Sequence, residues 1–446
     1  MSVIEMETAF QLLDLSDDSP EMTAEKILGA VCELGASDLF LGSNEQHVLV
    51  QVRHLGIMRP LAVLGLEQGR RLMILLKIRA SLDIAERRRP QDGRWLHVNN
   101  DDAQTCFDIR VSSIPTTYGE DLALRIFDRT SKLRDLAVLG MTWQQQQALC
   151  TALDAPGGLI LFTGPTGSGK TATLYACLHR LNDGRKKINT IEDPIEYSLE
   201  GVRQSQIHPA IDLGFSELLR SVMRQAPDVI MIGEIRDTET ASIAIRAANS
   251  GHLVLATIHA ASAIGAFQSM RALGVHQHFL ASAIRCVVAQ RLVRVLCEKC
   301  RAAFDLADAP HTFDEISHML GADEGKELWS PRGCEACHQT GYEARTGIFE
   351  LMPITRGIRT LVAENAAVRE IRLRAVEEKM LEFRHAALLK VAKGVTSIEE
   401  VFRAIPSENL IAEQQETSVP HNEEPQKLKV AKLKVKKEVK TAKIKS

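Results

Sequence analysis

The chain has 446 residues, 45% hydrophobic and 25% charged, which suits two or three domains with a sizeable core and excludes a disordered or fibrous class. Its net charge of -3 is unevenly spread: residues 427–446 carry nine Lys against one Glu, so this tail is +8 and the remainder -11, against a broad basic surface for nucleic acid. The opening "MSVIEMETAFQLLDLSDDSPEM" has no basic segment ahead of an apolar core, so no secretory signal is predicted and a cytoplasmic location is expected.

Residues 1–20 read as a short leader. From 21 to 132, helical "AEKILGAVCEL" and the period-two stretches "HVLVQVR", "GIMRPLAVL" and "TCFDIRVSSI" predict a small α+β domain. Residues 133–141 read as a polar linker. Between 142 and 296, Gln-rich "WQQQQALCTAL" predicts a helix, and the apolar runs "GLILFT", "INTIE", "DVIMIG" and "HLVLAT" alternate with helical segments. That alternation predicts a parallel sheet in a doubly wound α/β domain. The charge-free run Ala247–Met270 is long enough for a membrane span, but Asn249, His252, His259, Ser262 and Gln268 favour a buried strand followed by a helix start. Residues 297–337 hold two Cys pairs, 338–405 read as helical, clearest in "AVREIRLRAVEEKMLEFRHAALLKVAKG", and 406–446 form a polar, Lys-rich tail expected to be disordered.

Chemistry enters at "GPTGSGKT", residues 164–171, which follows an apolar strand and opens a helix. Gly164, Gly167 and Gly169 let the backbone N-H groups of this loop turn toward phosphate oxygens at a helix N-terminus, and Pro165, Thr166 and Ser168 are expected to line the same nucleotide site. Lys170 is expected to bridge the β- and γ-phosphates, and Thr171 to ligate Mg²⁺. No Asn-Lys-x-Asp segment for guanine is present, so ATP is the expected nucleotide.

Hydrolysis needs an oriented water, a metal and positive charge. Carboxylates stand at two predicted strand ends: Glu192, Asp193 and Glu196 in "TIEDPIEY", and Glu234 after "VIMIG". Gly233 is expected to let the strand end run close to the phosphate and Glu234 to orient water, with solvated charges or helix caps as the plain alternative for the carboxylates. His252 and His259 flank one strand, and His259 at its exit is the better γ-phosphate sensor. Arg110, Arg125, Arg220, Arg224 and Arg236 are surface charges or arginine fingers.

In "LDIAERRRPQDGR", "DIRVSSIPTTYGEDLALRI", the phosphate loop, "TIEDPIEY", residues 218–260, "AQRLVRVLC" and the Cys pairs, the chain resembles the ATPases of type II secretion and type IV pilus assembly, across roughly residues 25–405. The resemblance implies a RecA-like P-loop ATPase domain with a twisted parallel sheet, a PAS-like α+β domain before it, and a zinc knuckle and helical region after it. It implies a homo-hexameric motor at the bacterial inner membrane that hydrolyses ATP to polymerise pilins or pseudopilins. Its partners would be an inner-membrane platform protein and a membrane-anchoring protein with a cytoplasmic domain. By the same resemblance Glu234 is the catalytic glutamate aided by Glu192, and His252 and His259 form a histidine box. Arg110 and Arg125 come to the nucleotide from the first domain, and Arg220, Arg224 and Arg236 lie near the Glu234 strand. In "SDLFLG", Phe40 and Gly42 stand where the family has His and Glu.

Cys297, Cys300, Cys334 and Cys337 form two C-x-x-C pairs with 33 residues between them, suited to a Cys₄ Zn²⁺ site or, alternatively, to two separate redox pairs. Within the resembled family such a loop marks assembly rather than retraction motors. Cys32, Cys106, Cys150, Cys177 and Cys286 read as isolated reduced thiols. The Lys-rich tail suits either an anionic lipid surface or plain solvation. Two alternatives to the assembly motor stand: a nucleotide-gated scaffold with little hydrolysis, and a retraction or DNA-uptake motor.

Overall fold

A computed structural model describes residues 12–15, 18–98, 106–128, 135–307, 309 and 311–406. The Lys-rich tail, most of the leader and the first two residues of the predicted linker lie outside the described residues.

Six strands form the first sheet: β1 (Asp38–Ser43), β2 (His47–His54), β3 (Ile57–Gly65), β4 (Gln91–Val98), β5 (Cys106–Thr116) and β6 (Gly119–Asp128). They are antiparallel in the order β3-β2-β1-β6-β5-β4. In β2 alternate residues Val48, Val50 and Val52 are buried, so one face of the sheet packs. Helices α1 (Pro20–Glu33) and α2 (Leu66–Arg79) supply Ile27, Leu28, Val31, Leu72 and Leu76 to the same core. Gly69 permits the close docking of α2, because a Cβ there would come within 2.4 Å of Val48.

The segment predicted as a polar linker is a packed strap where it is described. Leu136 and Leu139 are buried, and the Leu139 carbonyl accepts from Gly347 N-H at 2.8 Å. Gly140 lies at φ +100°, where a Cβ would sit 2.2 Å from Thr346 Oγ1. The apolar pair, rather than the polar residues around it, decides where this segment goes.

The second sheet contains β7 (Gly158–Thr163), β8 (Ile188–Glu192), β9 (Arg203–Gln206), β10 (Val229–Ile232), β11 (Leu253–Ile258) and β12 (Ile284–Leu296). These strands run parallel, and the buried apolar runs anticipated for β7, β8, β10 and β11 are found there. Alternation divides each strand between two cores. Leu159 and Leu161 of β7 face one layer, while Ile160 and Phe162 face the other. Helices α3 (Trp143–Leu153) and α4 (Lys170–Leu181) cover the second face; α5 (Phe215–Met223), α6 (Thr238–Asn249), α7 (Gly265–Ala272) and α8 (Gln277–Ala283) cover the first. Thr142 and Gln145 start α3 with a capping box. The run Ala247–Met270 resolves into the end of α6, β11 and most of α7, and among the described residues no helix is long and apolar enough to cross a membrane.

After β12 the chain makes a small hairpin, β13 (Ala302–Asp305) with β14 (Glu327–Ser330), then returns as β15 (Tyr342–Pro353). β15 pairs antiparallel with β12, giving the order β15-β12-β7-β11-β10-β8-β9. The region predicted as helical therefore begins with a strand that completes the second sheet, as its buried run Ile348–Met352 requires. Four helices follow: α9 (Arg356–Ala363), α10 (Val368–Glu377), α11 (Phe383–Ala392) and α12 (Ile398–Ala404). The stretch that reads most clearly as helical forms two helices, α10 and α11. Lys379 turns left-handed at φ +67°, and Met380 N-H caps Ala375 O at 2.8 Å while its side chain is buried.

Candidate functional site

The phosphate loop lies at the C-terminal edge of β7, the position at which parallel sheets open onto ligands. Gly164, Gly167 and Gly169 lie at φ +144°, +76° and +86°. A Cβ on Gly164 would come within 2.4 Å of Gln290 O, and one on Gly169 within 2.8 Å of Gln290 Nε2. Gln290 also accepts from Thr173 Oγ1 at 2.7 Å, so β12 braces the loop and α4 together. Pro165, Thr166 and Gly167 are exposed, whereas the Ser168 hydroxyl is buried without a hydrogen-bond partner among the described residues. Lys170 donates to the Gly164 and Pro165 carbonyls at 2.7 and 2.9 Å. Burial pulls its pKa below the usual lysine value, with Glu234 opposing and Arg291 adding to the drop. An ammonium folded back on its own loop, beside an orphaned hydroxyl and left-handed glycines, fits a triphosphate.

Next to the loop is a cleft of about 70 Å³ lined by Thr171, Glu192, Asp193, Glu196, Gly233 and Glu234 among others. Glu234 stands at the end of β10 with its carboxylate 2.6 Å from Arg236 and 2.5 Å from His259 Nε2. Burial pushes its pKa up, but the hydrogen bonds and charges of Arg236 and His259 outweigh this and hold it below the ordinary glutamate value. Arg236 also reaches Asp193 at 3.4 Å, joining the two strand ends. Gly233, expected to let the strand end run near the phosphate, closely approaches the neighbouring strand instead: a Cβ would lie 3.1 Å from Ile191 O. Asp237, unassigned in the sequence, caps α6 by accepting from Thr240 N-H at 2.8 Å.

Glu192 is also in the cleft, in a different state. It is 3% exposed, and Tyr175 Oη, Thr190 Oγ1 at 2.5 Å and Gln204 Nε2 at 3.0 Å all donate to it. Glu196 is half-buried with one carboxylate oxygen unpartnered among the described residues, and burial raises its pKa while Arg110 and Arg125 oppose the rise. Those two arginines pair across β5 and β6. Arg110 donates to Ile195 O at 3.0 Å, and Arg125 lies 3.5 Å from Asp38 and lines a cavity of about 490 Å³ with residues 165–168 of the loop. Phe40, one of the two departures in "SDLFLG", lines the same cavity under Arg53.

The structure does not bring three sequence-predicted residues to this cleft. Arg220 pairs with Glu239, Arg224 bonds to Arg220 O and Ser221 Oγ on the exposed flank of α5, and His252 lies at the opposite end of β11, its Nδ1 3.0 Å from Ala247 O. Sequence reasoning in turn missed Tyr175, Gln204, Gln290 and Arg291. The signal for the last two was a polar pair interrupting the apolar run of β12, since a buried polar group persists only with partners.

The four paired cysteines converge, although 33 residues separate the pairs, because the β13-β14 hairpin returns the chain to its start. Their sulfurs all lie within 4.8 Å of one another, with Cys297–Cys334 at 3.9 Å, Cys300–Cys337 at 3.8 Å and Cys334–Cys337 at 3.7 Å. A tetrahedral Zn²⁺ with Zn-S bonds of about 2.3 Å sets its sulfurs roughly 3.8 Å apart. Backbone N-H groups of Gly333, Cys334 and Gly341 point at these sulfurs at 3.2–3.3 Å, the arrangement thiolates need.

Residues 15–403 match the family model described as type II/IV secretion system protein. The chain is 41% identical over 406 residues to the type II secretion system protein E of Dickeya dadantii, covering 91% of this chain and 79% of that protein. It is 38% identical over 390 residues to the type IV pilus assembly ATPase PilB of Acinetobacter baylyi, covering 87% and 67%. The fold matches the Legionella pneumophila ATPase DotB at a TM-score of 0.64, with 19% identity and coverage of 85% and 94%. It also matches the pilus retraction motor PilT at 0.56, with 22% identity and coverage of 86% and 96%. With its phosphate loop and its ion-paired strand-end glutamate in place, the chain belongs to the type II/IV secretion system protein family and is an ATPase.

Proposed function

We propose that this ATPase works as a ring of six copies on the cytoplasmic side of the inner membrane, driving assembly of a type IV pilus or a type II secretion pseudopilus against a platform protein. The observation that carries the chemistry is Glu234, ionised between Arg236 and His259 beside the phosphate loop. Such a carboxylate can orient a water toward a γ-phosphate, and Lys170, released from its loop carbonyls, can take the phosphate oxygens. Thr171 and the carboxylates of the same cleft suit Mg²⁺, which when bound offsets phosphate charge. The sulfur cluster suits Zn²⁺, which when bound cross-links the two ends of the long loop. Arg110 and Arg125 supply positive charge from the first domain. Arg220, Arg224 and His252, which do not reach this cleft, suit a surface between copies in the ring. A membrane-anchoring protein with a cytoplasmic domain is a further partner, and residues 427–446 suit anionic lipid.

The test combines two readouts. In purified protein, Lys170→Ala lowers ATP turnover by about two orders of magnitude. In a deletion strain the unaltered gene restores surface pili or secreted enzymes while Lys170→Ala restores neither. Turnover unaffected by the substitution would remove the motor reading, and restoration without turnover would favour a nucleotide-gated scaffold.

A further inference from the structure

The loop that carries His259 out of β11 is gripped one peptide at a time by side chains from different elements. Ser269 Oγ donates to His259 O at 2.8 Å, Thr163 Oγ1 to Ala260 O at 2.9 Å, and an Arg291 guanidinium N-H to Ala261 O at 3.0 Å. Farther along, Glu350 accepts from Ala263 N-H at 2.7 Å. Thr163 belongs to the strand of the phosphate loop, so its hydroxyl explains itself as part of the site. Arg291 and Glu350 do not.

Both are charged residues in a buried sheet, Arg291 on β12 and Glu350 on β15, 6% and 3% exposed. Buried charges are costly unless each is held by well-placed partners, so their partners indicate what the charges are for. Two neighbours are common to both. Besides the His259 loop, each touches Phe383, the first residue of α11 and itself buried. Arg291 lies over its ring, 5.8 Å from the centroid, and the Phe383 backbone N-H favours the charged form of the Glu350 carboxyl. Burial pushes the Glu350 carboxyl up to about 7; Glu382 adds to the rise, and Arg372 and the two backbone N-H groups restrain it. Arg291 also reaches the phosphate side, lining the cavity beside residues 165–168 and lowering the Lys170 pKa.

We propose that Arg291 and Glu350 are positioning residues forming a strut between the His259 loop and Phe383, through which the state of the nucleotide cleft and the position of α11 are coupled. The strut fixes where His259 meets Glu234, and a shift of that loop during turnover is passed to the C-terminal helices. Two titratable side chains on adjacent strands, converging on the same loop and the same residue of α11, form a contiguous path rather than a vague proximity. This inference rests on the reading that the Glu234–His259 pair acts in hydrolysis.

The test is a set of double-mutant cycles on the purified full chain, with kcat and KM for ATP, equilibrium binding of a fluorescent ATP analogue, and the melting temperature of every variant. Glu350→Gln keeps shape and one acceptor but offers an amide donor to one of two donors. Phe383→Leu keeps an apolar residue and removes the ring beneath Arg291. Each is expected to lower kcat about tenfold while nucleotide affinity changes less than about threefold. In a His259→Ala background both are expected to lose most of that effect, because the strut acts through His259. If each lowers kcat by the same factor with and without His259, the strut is only a packing feature and the inference falls. A His259→Ala protein that hydrolyses ATP normally would instead overturn the reading of the Glu234–His259 pair, and the inference with it. Should Phe383→Leu lose its melting transition, Arg291→Lys gives the same cycle, since it keeps the charge and loses the planar group over the ring.

Discussion

Glu192 and Glu234 are the same residue type at the ends of two adjacent parallel strands, lining one cleft, and their surroundings are opposite in kind. Glu192 receives three uncharged donors, from Tyr175, Thr190 and Gln204, and is sealed from solvent. Glu234 has two cationic or protonatable partners, Arg236 and His259, on exposed side chains that can move. Uncharged donors in a buried setting fix a carboxylate in place, whereas exposed charged partners leave it ionised and exchangeable. The first glutamate therefore braces the end of β8 against α4, and the second is poised to meet a water or a nucleotide.

The largest expected effect follows from that division. Glu234→Gln removes the charge proposed to orient water and is expected to lower kcat by about 10²- to 10³-fold with a melting temperature close to the unaltered protein. Glu192→Gln is expected to show the reverse emphasis. An amide donor placed among three donors leaves a buried clash, costing about 1–3 kcal/mol of stability, with a smaller loss of kcat. Melting curves and steady-state turnover of the two variants side by side check the comparison. A Glu192→Gln protein of unchanged stability and vanishing turnover would make Glu192 a reacting group rather than a brace.

Tyr175→Phe is the next smaller step. It keeps the ring, which packs edge-on against Tyr197 at 4.5 Å, and deletes one donor to Glu192. The expected cost is about 1–2 kcal/mol in thermal or denaturant unfolding, with turnover reduced only severalfold. A loss of turnover as deep as that of Glu234→Gln would show that the buried network feeds directly into the chemistry.

The contrast between the two glutamates also shows how much the sequence could disclose. Strands β7, β8, β10 and β11 were legible because fully buried strands read as unbroken apolar runs, and the phosphate loop because glycine spacing and flanking elements both bear on it. The pairing of Glu234 with His259 was half legible. Both were singled out, but their meeting depends on the register of β10 beside β11. What stayed hidden was long-range. Gln204 reaches Glu192 from β9, Leu136 and Leu139 convert an apparent linker into a strap, and β15 completes the sheet after a 45-residue detour from β12. Such contacts are fixed by packing between distant segments, for which period and propensity carry no signal. Lys379 adds a local case: a left-handed turn at a residue other than Gly or Asn leaves no mark in the sequence.

The finest test of the two environments is the pH dependence of turnover. Arg236 and His259 hold Glu234 below the ordinary carboxylate range, so its protonation limits kcat only on the far acid side. A carboxyl with a lowered folded-state pKa stabilises the native state above its unfolded value and loses that contribution as pH falls through the folded one. Arg236→Ala removes the strongest opposition to burial, so the Glu234 pKa rises, and the acid limb of kcat is expected to move to higher pH with a weaker acid dependence of stability. Tyr175→Phe acts on the sealed glutamate and is expected to leave that limb where it is. Comparing kcat profiles of the two variants from mildly acidic to neutral pH separates the roles: if both move the limb equally, the sealed network acts on the reacting carboxylate and the division between brace and reacting group fails.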